Sequence, residues 1–187
     1  MIAPEIRRVE PQKVFEALKA LKDEGYNVLV DMTAVDYSAW PEPGSNDPYD
    51  KTYRMTGETK ELRKPRPIPA SARFDVVYQV MKLDAETGAD KGRVEVHAAV
   101  GEEPVLRSAM SLWPIADWLE REVWDMFGVR FTDRPDIKRL LLYEEFKGHP
   151  LRKDYPINKR QPLIGPASGE PAGNPSFNHS EPTVKYD

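Results

Sequence analysis

Proline placement is the strongest constraint on what this chain can fold into. Of 18 prolines, six fall at Pro41, Pro43, Pro48, Pro65, Pro67 and Pro69, and seven lie from Pro150 onward. Each fixes φ and removes a backbone donor, so the longer regular elements must lie before Asp36 and between Arg73 and Gly128. Pro11 to Glu24 reads as a helix, with proline in its first turn, Val14, Phe15, Leu18 and Leu21 at helical spacing, and Gly25 beyond its end. Asn27 to Val35 reads as a strand. Arg73 to Leu83 and Arg93 to Val100 form the clearest strand pair, because Val94, Val96, Ala98 and Val100 alternate with Arg93, Glu95, His97 and Ala99. Asp84 to Gly92 suits a hairpin loop, which makes the pair antiparallel with one wetted face. Pro104 to Leu112 is predicted as a short helix, Pro114 opens a second, and Arg139 to Tyr143 suits a short strand. No internal repeat is present.

The expected fold is α+β: a mixed, largely antiparallel sheet flanked by helices over residues 1–128, followed by a long extended C-terminal tail. Residues 38–72 are loop-like, and a loop of that length is either functional or an insertion. Residues 129–187 read as a proline-rich, partner-wrapping tail. Their sparse apolar content does not offset an ordering entropy of roughly 1–2 kcal/mol per residue.

The chain has no cysteine. Disulfides, cysteine nucleophiles, and zinc or iron–sulfur clusters held by this chain's own thiolates are therefore excluded. A net charge of −4 argues against general nucleic-acid binding. The charge is unevenly spread: Arg134 to Arg160 holds eight Lys/Arg against four Asp/Glu. Such a basic belt on an acidic protein suits docking onto an acidic surface, or else a run of solvated lysines. The first eight residues lack an apolar stretch of signal-peptide length, and no apolar run is long enough to span a membrane. The expectation is a soluble chain that meets membranes only through partners.

Within Trp118-Leu-Glu-Arg-Glu-Val-Trp-Asp-Met-Phe-Gly128, helical projection gives an apolar stripe of Ile115, Trp118, Leu119, Val123, Met126 and Phe127. Asp117, Arg121 and Asp125 project opposite, where Asp117 can pair with Arg121. Glu122 lands inside the stripe and Glu120 at its margin beside Phe127. Glu122 can snorkel or pair with an arginine. Alternatively it is buried at a subunit boundary, where it requires a cationic partner. General acid–base work by Glu120, Glu122 and Asp125 is a third reading, which no nucleophile, metal motif or convergent histidine accompanies. Trp124 projects away from the stripe, so the helix is expected to be sandwiched between two surfaces.

Of the histidines, His97 is expected on a wet strand face, His149 between Gly148 and Pro150, and His179 in the tail. None has HExxH spacing, and no phosphate loop or GxSxG elbow occurs. The strip Gly148, His149, Pro150, Leu151, Arg152, Lys153, Asp154, Tyr155 and Pro156 combines a guanidinium fork, a point charge and apolar anchors. It reads either as a solvated linker or as the preferred alternative, a docking strip.

These residues also carry a resemblance. Glu120-Arg-Glu-Val-Trp-Asp-Met-Phe-Gly128 resembles the Glu-Arg-Glu-x-x-Asp-hydrophobic-hydrophobic-Gly signature of the 30 kDa (C) subunit family of respiratory complex I, the proton-pumping NADH:quinone oxidoreductase. Gly148 to Pro156 is similar to the family's Gly-His-Pro-Leu-Arg-Lys-Asp-aromatic-Pro block. Ala34 to Tyr37, Phe74 to Tyr78 and Leu112 to Trp118 are similar to further family segments. The family commonly has Gly-His-Pro after the signature helix, where this chain has Asp133-Arg134-Pro135. Arg134 would add to the basic belt there.

The resemblance implies a non-catalytic subunit of the peripheral arm, without its own cofactor, in a hetero-oligomer. Its implied partners are subunits D, B and I: it would dock on the D subunit, which helps form the quinone cavity, and lie near the other two. FMN, iron–sulfur clusters and quinone would then belong to partner subunits. The place implied is the cytoplasmic face of the inner membrane. Glu120, Arg121, Glu122, Asp125, Gly128, Arg134 and residues 148–155 are the implied structural or partner-binding positions. An equivalent scaffold in a related membrane-bound hydrogenase or dehydrogenase is the alternative, and a stand-alone acid/base hydrolase a more remote one.

Overall fold

In the computed structural model, residues 3–39, 67–135 and 137–161 are described. The elements in chain order are β1 (Glu5–Val9), α1 (Val14–Asp23, entered through a 3-10 turn at Pro11–Lys13), β2 (Val28–Asp36), β3 (Phe74–Leu83), β4 (Asp90–Val100), β5 (Val105–Arg107), α2 (Ala116–Phe127) and β6 (Arg130–Thr132). The main sheet has the order β1-β4-β3-β2, with β1 parallel to β4 and the other two pairings antiparallel. This is the expected mixed, largely antiparallel α+β architecture.

The alternation that marks β3 and β4 in the sequence also sets their register. Val76 faces Ala98, Tyr78 faces Val96 and Val80 faces Val94, so one face of the hairpin is continuously apolar. Leu29, Met32 and Ala34 of β2 extend that face across an irregularity between Leu29 and Asp31. Val14, Leu18 and Leu21 of α1 and Val123 and Phe127 of α2 pack against it with Leu106, Ala109 and Trp113. Burying one large aliphatic or aromatic side chain stabilises by about 1.5–3 kcal/mol.

Several expectations change. Pro104 to Leu112 is not a helix. Val105–Arg107 is a strand paired in parallel with β6, and turns follow it. Only Leu106 in this strand is buried, and a three-residue alternation is too short to show a period. β1 went unpredicted because it is a five-residue edge strand whose Ile6 faces outward. The predicted strand at Arg139 to Tyr143 is a run of bends, curled around the Asp125 carboxylate. His97 is mostly enclosed, with Nδ1 2.9 Å from Asp75 Oδ2, although its face was expected to be wet.

Beyond residue 128, β6 pairs with β5, after which the chain returns over α2. Within the expected insertion, Ile68 and Ala72 are buried. Residues 40–66 and 162–187, which hold most of the insertion, the end of the tail and His179, lie outside the described residues.

Candidate docking site

The site is built from α2 and the segment that returns across it, residues 133–161. Gly128 ends the helix with φ +78° and its N–H on the Trp124 carbonyl at 2.8 Å. A helix leaves its last carbonyls without intrahelical donors. Two of them are met by the strip: His149 Nδ1 donates to the Asp125 carbonyl at 3.0 Å, and the Leu151 N–H donates to the Met126 carbonyl at 3.0 Å. A carbonyl only accepts, so the His149 proton sits on Nδ1. Burial pushes the His149 pKa down, and Arg139 and Arg152 add to that shift against the Asp125 carbonyl. A Cβ at Gly128 would lie 2.7 Å from His149 Cδ2, so the glycine is required twice over, by its φ and by this approach.

Three buried carboxylates hold the fold of this region. Asp125 accepts Arg139 Nη1 at 2.6 Å and the N–H groups of Leu140, Leu141 and Leu142 at 3.1, 2.9 and 2.9 Å. Three successive N–H groups converge on one oxygen only if the backbone curls, which is why residues 139–143 cannot be a strand. Burial opposes the Asp125 charge, but these donors, Leu142 and Arg139 foremost, hold its pKa below the usual carboxylate value.

Glu120 accepts Ser108 Oγ at 2.9 Å, the Ala109 N–H at 2.7 Å and Arg134 Nη1 at 2.8 Å. Here burial prevails and raises the pKa, although all three donors lower it. Arg134 also donates to Asp117 at 2.5 Å.

Asp36, at the end of β2, accepts Arg73 Nε and Nη2 at 3.2 and 2.9 Å and the Lys153 N–H at 2.8 Å. Burial works against the Asp36 charge, yet Arg73 and the N–H groups of Ser38 and Lys153 hold its pKa well below the carboxylate range. Arg73 reaches Glu102 at 2.7 Å and Asp154 at 2.9 Å as well, so it ties β2, the loop after β4 and the strip into one cluster. Its own pKa is raised, chiefly by Asp36.

The helical projection is therefore corrected. The buried face of α2 is Ala116, Glu120, Val123 and Phe127, together with Asp125, while Ile115 and Trp118 are 48% and 55% exposed. Glu122 is exposed and makes no ion pair among the described residues. Asp117 pairs with Arg134. Arg121 instead donates to the carbonyls of Lys138 and Arg139 at 3.1 and 2.9 Å and lies over the Trp118 ring at 5.1 Å. Arg134 has a side chain only 4% exposed, so it is withdrawn from the basic belt. Trp124 does meet a second surface, His149 edge-on and the Arg139 guanidinium.

In the strip, Gly148 turns at φ +104°. Tyr155 stacks on Phe146 and meets Gln161. Arg152 lies over Phe74 and 3.4 Å from Asp154. Pro150 is half-buried, while Leu151 and the Lys153 side chain face outward. Asp36, Arg73, Ser108 and Arg139 carry no local sequence signal of these roles. Asp36 lies in one of the segments quoted for the resemblance, but the partners of all four are distant in sequence. Among the described residues, no three His, Asp or Glu side chains are placed to hold one metal ion, and no helix is long and apolar enough to cross a membrane.

The fold and this ionic framework define a small α+β domain whose C-terminal strip is fastened to the end of its second helix. The chain belongs to the family described as "Respiratory-chain NADH dehydrogenase, 30 Kd subunit", whose model matches residues 7–161. It is 36% identical over 161 residues to the C subunit of NADH-quinone oxidoreductase from Citrifermentans bemidjiense, covering 84% of this chain and 78% of that one. It is 35% identical over 158 residues to NADH-quinone oxidoreductase subunit 5 of Thermus thermophilus, covering 83% of this chain and 64% of the relative. Among solved structures, a trypsin-resistant fragment (1-134) of Nqo5 superposes with a TM-score of 0.52 at 29% identity, covering 70% of this chain and 80% of the fragment. A chain of an archaeal membrane-bound sulfane sulfur reductase shares the fold, with a TM-score of 0.57 at 18% identity, covering 84% of this chain and 75% of that one.

Proposed function

We propose that this chain is a structural and assembly subunit of the peripheral arm of proton-pumping NADH:quinone oxidoreductase, docking on the D subunit and lying near subunits B and I. It holds no cofactor itself; FMN, iron–sulfur clusters and quinone belong to its partners. It is peripheral to the cytoplasmic face of the inner membrane through those partners. One observation carries the reading beyond family membership: Asp125 is engaged by the chain's own return segment, and Glu120 by Arg134 of that segment together with Ser108 and Ala109. Of the helix acids considered for chemistry, only Glu122 is exposed and makes no ion pair among the described residues. With Glu120 and Asp125 both occupied by donors of the same chain, no second open carboxylate is left to pair with Glu122, so the stand-alone hydrolase reading loses its motivation.

The test is to purify the full chain alone and, separately, the native complex. The isolated chain is expected to be colourless and unable to oxidise NADH, and in the complex it should cross-link to subunits D, B and I. A stoichiometric flavin or metal in the isolated chain, or cross-links to none of those subunits, would contradict the proposal.

A further inference from the structure

We infer that the outer rim of the return segment, formed by Lys147, Leu151, Lys153, Ile157, Lys159 and Arg160, docks on an acidic protein surface that contains an apolar cleft. The inference rests on the subunit reading above and specifies the chemistry of the partner's face.

Residues 146–161 carry five Lys/Arg and one carboxylate, Asp154. That carboxylate is taken by Arg73 at 2.9 Å, with Arg152 beside it. The other four cations are exposed, and none has a carboxylate at ion-pair distance among the described residues. Among the described residues, Lys159 Nζ meets the Lys147 carbonyl, at 3.2 Å, and the Tyr155 ring. Between these charges stand Leu151, 51% exposed, and Ile157, 96% exposed. Among the described residues, no carboxylate of the domain pairs with these four cations, and nothing fully covers the two aliphatic side chains between them. Against an acidic surface the same charges steer and orient binding, and the aliphatic groups supply the apolar contact.

The rim is also ordered in advance. Its backbone is pinned from inside by Lys153 N–H to Asp36 and Leu151 N–H to the Met126 carbonyl, which lowers the entropy lost on docking. A protein surface fits better than an anionic bilayer. The segment is a chain of turns with two separate apolar knobs, whereas interfacial binding uses a continuous apolar helix face.

The experiment uses the assembled complex in its own membranes, with wild type, K153E/R160E and I157D chains. Every substituted side chain is exposed, and Lys153 holds the fold through its N–H, so circular dichroism should be unchanged. Retention after washes of rising salt is measured, together with zero-length carbodiimide coupling located by mass spectrometry. Wild type should couple through Lys153 or Lys159 to an Asp or Glu of another chain, and retention of the variants at raised salt should fall roughly tenfold.

Variants retained like wild type would overturn the inference while leaving the subunit reading intact. So would coupling confined to this chain, or lysines fully open to an amine-reactive reagent in the complex. Wild type that binds phosphatidylglycerol vesicles and gives no carbodiimide product assigns the rim to a bilayer and overturns it too. Wild type found in no complex overturns both readings.

Discussion

His149 Nδ1 donates to the backbone carbonyl of Asp125 across 3.0 Å, and with the Leu151 N–H on the Met126 carbonyl this bond joins the two segments that mark the chain. The Asp125 side chain meanwhile gathers Arg139 and the N–H groups of residues 140–142. One residue thus fastens the return segment at two places, by its carboxylate and by its carbonyl. The charged helix and the basic strip form a single folded unit, in which the strip completes the helix end.

Replacing Asp125 tests that unit. Asp125→Ala leaves Arg139 without its carboxylate and three N–H groups without an acceptor. Breaking one side of a buried pair costs about 3–5 kcal/mol. Asp125→Asn keeps one acceptor oxygen and should cost less. Urea denaturation of the purified chain checks both the size and the order of the two losses.

Gly128→Ala combines a left-handed backbone with a Cβ 2.7 Å from His149 Cδ2. The backbone conformation alone costs an L-residue about 1–2 kcal/mol, and displacement of His149 adds to it. Limited proteolysis should show faster cleavage after Arg152 and Lys153 than in wild type.

Glu120 and His149 give opposite pH slopes. The raised Glu120 pKa means the folded state holds that proton more tightly than the unfolded chain does. Its contribution is therefore present below the ordinary glutamate value of 4.5 and is lost as pH rises through the raised folded value. The lowered His149 pKa works the other way. Its contribution is present above the ordinary histidine value of 6.5 and is lost as pH falls through the depressed folded value. Denaturation midpoints against pH should lose the first slope in Glu120→Gln and the second in His149→Gln.

Trp118 separates folding from assembly. It is 55% exposed and braced by Arg121, so Trp118→Ala should change the stability of the isolated chain by only about 0.5 kcal/mol. Exposed tryptophans held in one orientation are frequent interface anchors, and the same variant should weaken retention in the complex. A large loss of stability in the isolated chain would show that the indole is core.

Much of the fold was legible because its signals are local. The β3–β4 alternation gave both strands and their antiparallel pairing, and Gly128 marked the end of α2. The site was harder to read, because hydrophobic projection cannot see a buried carboxylate whose donors lie elsewhere in the chain. Glu120 depends on Ser108 and Arg134, so the true buried face of α2 is rotated from the apolar stripe, Trp118 is outside it, and Glu120 is buried although Glu122 is the one that projects inside the stripe. Arg139 to Tyr143 has the composition of a strand, but three N–H groups drawn to one carboxylate overrule that preference. Residues 148–155 stand out in the sequence by their density of charge, but not by where they pack. Which of those side chains turn inward became visible only when Asp36 and Arg73 arrived from the opposite end of the domain.

Amide hydrogen exchange tests the central claim most directly, namely that the helix acids fold the chain's own return segment while the strip's outer rim meets the partner. The amides of Leu140, Leu141, Leu142 and Leu151 should be protected in the isolated wild-type chain. They should lose that protection in Asp125→Ala and keep it in K153E/R160E. Unchanged protection in Asp125→Ala, or equal loss in both variants, would contradict the account.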